Sequence, residues 1–238
     1  MKSLTTLLAA GNLLAALAMA QPTGHTFTDL GIVGAQPGQP FFVTNNALAS
    51  GAATATDGTA HAVLWYRGLK IDISTPGLGG GNTVAFGNNE KGQAVGQADT
   101  SKTDPKGEDF CGFQFMGVTS HGAKCLPFLW EYGVMAALPT LGGNNGVANA
   151  INSRGDVAGL AENATPDPAC PAPQVFQFKP AIWEQGKIQE LPTFAGDAEG
   201  AAFAINKDSQ VVGASGTCEY SGQPSASSCL ALGNRPDG

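Results

Sequence analysis

The stretch Trp130–Gly159, WEYGVMAALPTLGGNNGVANAINSRGDVAG, decides the reading of this chain because it recurs. Trp65–Gly96 reads WYRGLKIDISTPGLGGGNTVAFGNNEKGQAVG, and Trp183–Gly213 reads WEQGKIQELPTFAGDAEGAAFAINKDSQVVG. Around each Trp lie four short apolar stretches. In the middle copy they are Leu126–Trp130, Val134–Leu138, Val147–Ile151 and Asp156–Leu160. In the first they are His61–Trp65, Leu69–Ile73, Thr83–Gly87 and Gln93–Gln97, and in the third Pro180–Trp183, Lys187–Leu191, Ala201–Ile205 and Gln210–Ala214. Stretches of about five residues bounded by Gly, Asn and Pro read as strands, since an amphipathic helix needs roughly ten or more residues.

The punctuation agrees. Tyr66-Arg67-Gly68, Glu131-Tyr132-Gly133 and Glu184-Gln185-Gly186 place Gly where a tight hairpin needs positive φ. Leu78-Gly79-Gly80 and Leu141-Gly142-Gly143 read as wider crossings. Asn88, Asn152 and Asn206 open second hairpins in which an Asx side chain caps the turn. The third of these has Asp208-Ser209 where the others have Gly, which predicts a more strained turn.

From Trp to the final Gly96, Gly159 or Gly213 the copies are nearly equal in length, so length variation falls between copies. It collects in Thr100–Lys124, Glu162–Gln177 and Ser215–Ser228, rich in Gly, Pro, Ser, Asp or Cys. Insertions confined to one connection of a repeat map to one face of the array, which makes loops 100–124, 162–177 and 215–228 the expected contact surface for an extracellular protein or glycan.

Units of four strands repeated side by side predict an all-β, β-propeller-like array of about four blades, as a closed ring or as an open or truncated one. The units run about 21–56, 60–100, 124–162 and 178–215, with a partial one at 228–238, all within a single domain 21–238. The N-terminal piece matches the later part of the repeat, and Ser228–Leu232 matches its first strand; the two together predict a fourth unit split between the termini.

Residues 1–20 have the features of a secretory signal peptide: Lys2, an apolar run Leu4–Leu17, and Ala18-Met19-Ala20 as the cleavage signal. The expected destination is extracellular or periplasmic, with no membrane anchor after cleavage near Ala20. With a net charge of −7 and 13% charged residues, the chain does not suit nucleic acid or an anionic membrane as its main partner. Five cysteines in an exported chain point to disulfides. Nearest spacing pairs Cys111 with Cys125 and Cys218 with Cys229, leaving Cys170 over.

The units resemble the bacterial HAF-type extracellular repeat family. The resemblance rests on His61-Ala62-Val63-Leu64-Trp65, on Leu138-Pro139-Thr140-Leu141-Gly142-Gly143, and on Ala150-Ile151-Asn152-Ser153-Arg154-Gly155-Asp156-Val157-Ala158-Gly159, and it spans nearly all of the chain after residue 20. It implies export and a propeller-like repeat, and no settled activity. Where the repeat has Trp, the last piece has Asn234; Leu-Gly-Asn and Trp-Glu can be read from one base sequence in adjacent frames, so a truncated piece of a longer repeat protein is one expected reading.

No catalytic, cofactor or metal constellation emerges. There is no Gly-x-Ser-x-Gly, and His25, His61 and His121 lack a nucleophile context. The Asn-x-x-Gly turns carry too few carboxylates for calcium. Asp104, Glu108 and Asp109 read as solvated loop charge, and Trp65, Trp130 and Trp183 as blade-to-blade core. The expected function is non-enzymatic binding or scaffolding through the loops. The alternative is a polysaccharide hydrolase or lyase with acids in the propeller channel.

Overall fold

A computed structural model describes residues 28–34 and 36–218. The expected signal peptide, His25 and the Cys229–Leu232 strand lie outside the described residues. The chain is all-β. β1 (Ile32–Val33) and β2 (Gln36–Pro37) form a minute hairpin. The first four-stranded sheet comprises β3 (Gln39–Val43), β4 (Leu48–Thr54), β5 (Ala60–Tyr66) and β6 (Leu69–Asp72). The second comprises β7 (Gly79–Asn88), β8 (Ala94–Thr103), β9 (Ala123–Glu131) and β10 (Val134–Ala137). The third comprises β11 (Gly142–Ile151), β12 (Val157–Pro166), β13 (Phe176–Glu184) and β14 (Lys187–Glu190). β15 (Glu199–Ile205) and β16 (Val211–Gly216) pair as a two-stranded fourth sheet. Every sheet is an antiparallel meander in chain order.

The sheets are out of phase with the sequence units by two strands. Trp130 belongs to β9 of the second sheet, whereas Gly159 belongs to β12 of the third. The Leu-Gly-Gly crossings are therefore the links between sheets, and the insertions lie inside sheets. Long ladders explain this: β8 pairs with β9 from Ala94↔Trp130 to Asp99↔Cys125, and Thr100–Lys124 is the far end of that hairpin. Likewise 39–54 does not wait for a distant strand; β4 pairs with β5 from Leu48↔Tyr66 to Thr54↔Ala60.

The tight hairpins form as expected. Arg67–Gly68, Tyr132–Gly133 and Gln185–Gly186 all have positive φ at both positions, the type I′ turn that suits strand twist. Ser209 is held at φ +59, the left-handed conformation that Gly92 and Gly155 adopt in the other copies.

Neighbouring sheets share cores. Leu64 and Ile73 of the first pack with Ala85, Phe128 and Met135 of the second, while Val95 and Leu138 of the second pack with Ala148, Ala181 and Trp183 of the third. Strands β3, β7, β11 and β15 touch one another in series and are the inner strands; β6, β10 and β14 lie outermost. Each inner strand bulges at one residue, Phe41, Phe86, Asn149 or Phe203, opposite a glycine of the next strand. That glycine has to be one. A Cβ on Gly96 would sit almost on the Val84 carbonyl oxygen, and one on Gly159 on that of Val147. The repeated Val-x-Gly ending is thus the footprint of a bulge on the neighbouring strand.

Candidate functional site

The insertion loops are the expected site, and the structure packs two of them down. In Thr100–Lys124, Phe113, Met116 and Val118 form a core with Ala52, Ala60 and Val84 of the first two sheets. Farther along, Phe110 stacks on Phe178 at 3.9 Å between ring centroids, beside Val147, Leu160 and Ala201 of the third and fourth sheets. Glu108 accepts hydrogen bonds from the Val175 and Phe176 amides of the second insertion at 2.7 and 2.8 Å. One insertion thus bridges sheets one to four. Asp104 and Glu108 are buried, a correction to their reading as solvated charge: each serves donors that burial would otherwise orphan. Only Asp109 is exposed, taking the Ser120 hydroxyl at 2.8 Å.

Cys111 and Cys125 are bonded as expected. The second bridge corrects the spacing argument: Cys218 bonds Cys170, with Cα atoms 4.7 Å apart. The β12–β13 loop carries Cys170 to the end of β16, so proximity in space overrides proximity in sequence. Cys229 lies outside the described residues. Cys170, Cys218 and Glu199 sit together, but the sulfurs are spent on the disulfide and cannot serve as thiolate ligands.

Below the insertions runs a repeated clamp. Asn82, Asn145 and Glu199 hold one position at the start of β7, β11 and β15. Each accepts a hydrogen bond from the preceding sheet, from the amides of Ala60 (3.0 Å), Cys125 (3.0 Å) and Phe178 (2.8 Å). The first two are gripped by a carboxylate on the next strand. Asp99 receives the Asn82 amide and side chain, both at 2.7 Å. Glu162 receives the Asn144 and Asn145 amides and the Asn145 side chain, which also reaches Asp104 at 2.6 Å. Gly216 stands where the third carboxylate would be, and the carboxylate there is Glu199 itself. Burial, with Glu108 and Asp104 nearby, pushes Glu162 up to about 8. Burial also pushes Glu199 up to about 7, and raises Asp99 and Glu108.

A second ladder joins the opposite ends. Asn152 Oδ1 accepts from the amides of Arg154, Gly155 and Asp156 at 2.9–3.0 Å, and Asn206 does the same for Asp208 and Gln210. In the first copy Asn89, not Asn88, fills this role, accepting from Lys91 and Gln93. Asn88 is instead buried and donates to the Leu48 carbonyl at 3.0 Å. The turns are then stitched in order: Asn89 donates to the Asn152 carbonyl at 2.9 Å, and Asn152 to that of Asn206 at 3.1 Å. Asp156 is occupied by Arg154, Asn152 and Ser209.

The tryptophans are core. Trp183 is buried and donates to the Pro139 carbonyl at 2.8 Å; Trp65 is buried with Ala49, Val63 and Leu30; Trp130 packs at the edge of the first core. His61 bonds Asp72 and Thr59 within its own sheet at 2.7 and 3.0 Å.

What the sequence reading missed is the bulge position. Phe41, Phe86, Asn149 and Phe203 stand at one constant distance before Gly51, Gly96, Gly159 and Gly213, a signal visible in the sequence. Their side chains reach sideways along the inner strands: Phe41 meets Phe86 at 5.7 Å, Phe86 packs against the cluster holding Val147, and Asn149 donates to Ala202 at 2.8 Å. Phe115, in the 3-10 turn Gln114–Met116, meets Phe41 edge-on at 5.7 Å. Phe41 and Phe115 remain 41% and 47% exposed, an aromatic surface shared by β3 and the first insertion.

These features define an array of antiparallel β-sheets clamped by buried amides, with aromatics on its inner side. No protein-family model, curated protein or solved structure matches the chain. No helix among the described residues is long and apolar enough to cross a membrane, and two disulfides fit an oxidising compartment.

Proposed function

We propose that this is an exported binding protein of the HAF repeat type, a propeller-like ring of four sheets that holds a ligand on its aromatic surface without chemical turnover. The observation that carries this reading is the contrast between acids and aromatics. Asp99, Asp104, Glu108, Glu162 and Glu199 are buried and hydrogen-bonded to amides, whereas Phe41 and Phe115 stay 41% and 47% exposed. Hydrolysis or elimination on a polysaccharide needs a carboxyl pair within reach of substrate. The inner strands β3, β7, β11 and β15 carry one acid, the buried Glu199. Half-exposed aromatic rings suit stacking on a sugar face, which places a glycan first among candidate ligands.

A glycan array probed with the purified chain 21–238, alongside Phe115→Ala and Phe41→Ala, tests this. Binding that weakens about 10-fold in the variants, as loss of one aromatic contact implies, supports it. Release of shortened oligosaccharides from any array member overturns it in favour of an enzyme. Binding untouched by both variants removes the aromatic surface from the proposal.

A further inference from the structure

The aromatic surface lies on a part of the chain from which charge is withdrawn. Asp, Glu, Lys and Arg make up 13% of the sequence. None of them, and no His, occurs in residues 30–56, which hold β3 and Phe41, or in residues 110–120, which hold Phe115. The neighbouring inner strands continue the pattern. Residues 73–89 around β7 and 132–153 around β11 are equally free of charge, and β15 carries only Glu199, which is buried. The acids that stand closest in the fold are turned to the interior. Asp99 takes the Asn82 amide and side chain, and Glu162 the amides of Asn144 and Asn145.

Aromatic carbon and neutral amides remain at the surface. Gln39, two residues before Phe41, and Gln114, immediately before Phe115, are both exposed. A primary amide donates and accepts hydrogen bonds, as a sugar hydroxyl does, and carries no net charge. Phe115 is also held in place. Phe113 and Met116 beside it are buried, the Met116 amide donates to the Phe113 carbonyl at 2.8 Å, and Cys111 is tied to Cys125. A side chain displayed on such an anchored turn loses little freedom when a ligand settles on it.

These features discriminate by charge. A carboxylate or sulfate brought onto the surface gives up water without gaining a cation in return, and it approaches a chain of net charge −7. An ammonium finds no carboxylate in these stretches, and a cation–π contact at a half-exposed ring is a weak substitute for one. An uncharged polyol gives up only hydrogen bonds and apolar hydration, which amides and ring stacking replace.

We propose that the ligand of the aromatic surface is an uncharged glycan, without uronate, sulfate or free amine, and that the charge-free stretches select it over charged chains. The inference rests on the reading of this surface as a glycan-binding site.

The test applies purified chain 21–238 to an array of neutral, uronate-bearing, sulfated and free-amine glycans, and titrates the binders by calorimetry at two salt concentrations. The binders should be neutral. Their affinity should change less than about 2-fold between ~0.05 and ~0.5 M sodium chloride, because salt screens only charge. Gln114→Lys, an exposed substitution that leaves the fold intact, should add binding of sulfated members that fades as salt rises. Three results overturn the proposal while leaving glycan binding in place: preference for a charged glycan, a strongly salt-dependent affinity, or a Gln114→Lys variant that still ignores sulfated chains. Binding to no glycan at all overturns the parent reading and this inference with it.

Discussion

β12 and β16 descend from the same repeat and end in the same way, Val157-Ala158-Gly159-Leu160-Ala161 against Val211-Val212-Gly213-Ala214-Ser215. Yet Val157 to Ala161 are all buried and Val211 to Ser215 are not. The two strands have similar partners on their inner side, β11 and β15, with the same bulge and the same turn. They differ on the outer side, where β13 covers β12. Burial of a strand in this molecule is therefore supplied by its neighbours and only permitted by its own residues.

Several changes sharpen or break that contrast. The largest effect belongs to the bridge that ties the fourth sheet to the third. Cys170–Cys218 spans 48 residues and Cys111–Cys125 spans 14. In the chain-entropy account the first contributes about 4 kcal/mol and the second about 3. Cys218→Ser should lower the urea midpoint more than Cys111→Ser, and non-reducing peptide mapping should recover Cys170 joined to Cys218. Joining of Cys218 to Cys229 instead would remove the link between the sheets.

Next comes the glycine opposite each bulge. Gly159→Ala should cost about 3 kcal/mol, the upper range for overpacking, since the obstructing atoms are backbone. Gly213→Ala meets the same obstruction from the Ala201 carbonyl, but β16 has room to yield. Its cost in denaturant titration should be less than half that of Gly159→Ala, and equal costs would mean that β16 is as confined as β12.

The turn ladder gives a smaller difference. Asn152→Ala strips three amides of their acceptor and frees the Asn206 carbonyl, a loss of about 2 kcal/mol, whereas Asn206→Ala at the exposed end should cost about 1. Thermal unfolding of the two variants distinguishes them.

A separate effect is one of pH. Glu162 and Glu199 have folded values raised to about 8 and about 7, above the ordinary 4.5. Protonated carboxyls are favoured in the folded state, so this contribution is complete below about pH 4.5 and is lost as pH rises through 7 and 8. The melting temperature should fall from pH 5 to pH 9, and Glu162→Gln, being neutral throughout, should flatten part of that slope. A slope unchanged by the substitution would assign it to other groups.

The strands, the type I′ turns and the strained Ser209 were legible because each follows from residues close in sequence. The phase of the sheets was not. The Trp-to-Gly unit is a true repeat, but any cut through a periodic chain yields one, and only long-range pairing such as Ala94↔Trp130 shows where a sheet begins. The same limit misled the second disulfide, and it made Asp104 and Glu108 look like solvent-facing charge although they bind the Asn145 side chain and the Val175 amide. The aromatic surface was half visible: the constant spacing of Phe41, Phe86 and Phe203 before a glycine is in the sequence, but its meaning required the bulge. Phe115 had no such signal, since it lies in an insertion whose length and sequence vary from copy to copy.

The asparagine ladder also gives the array a polarity. Each turn donates a side-chain amide forward and offers a carbonyl backward, so the two sides of a sheet are unlike and complementary, as in a head-to-tail assembly. Such an interface sets no number of units by itself. A sheet inserted in the middle would meet the neighbours it expects on both sides. Length can therefore change by whole repeats during evolution or design without a new interface.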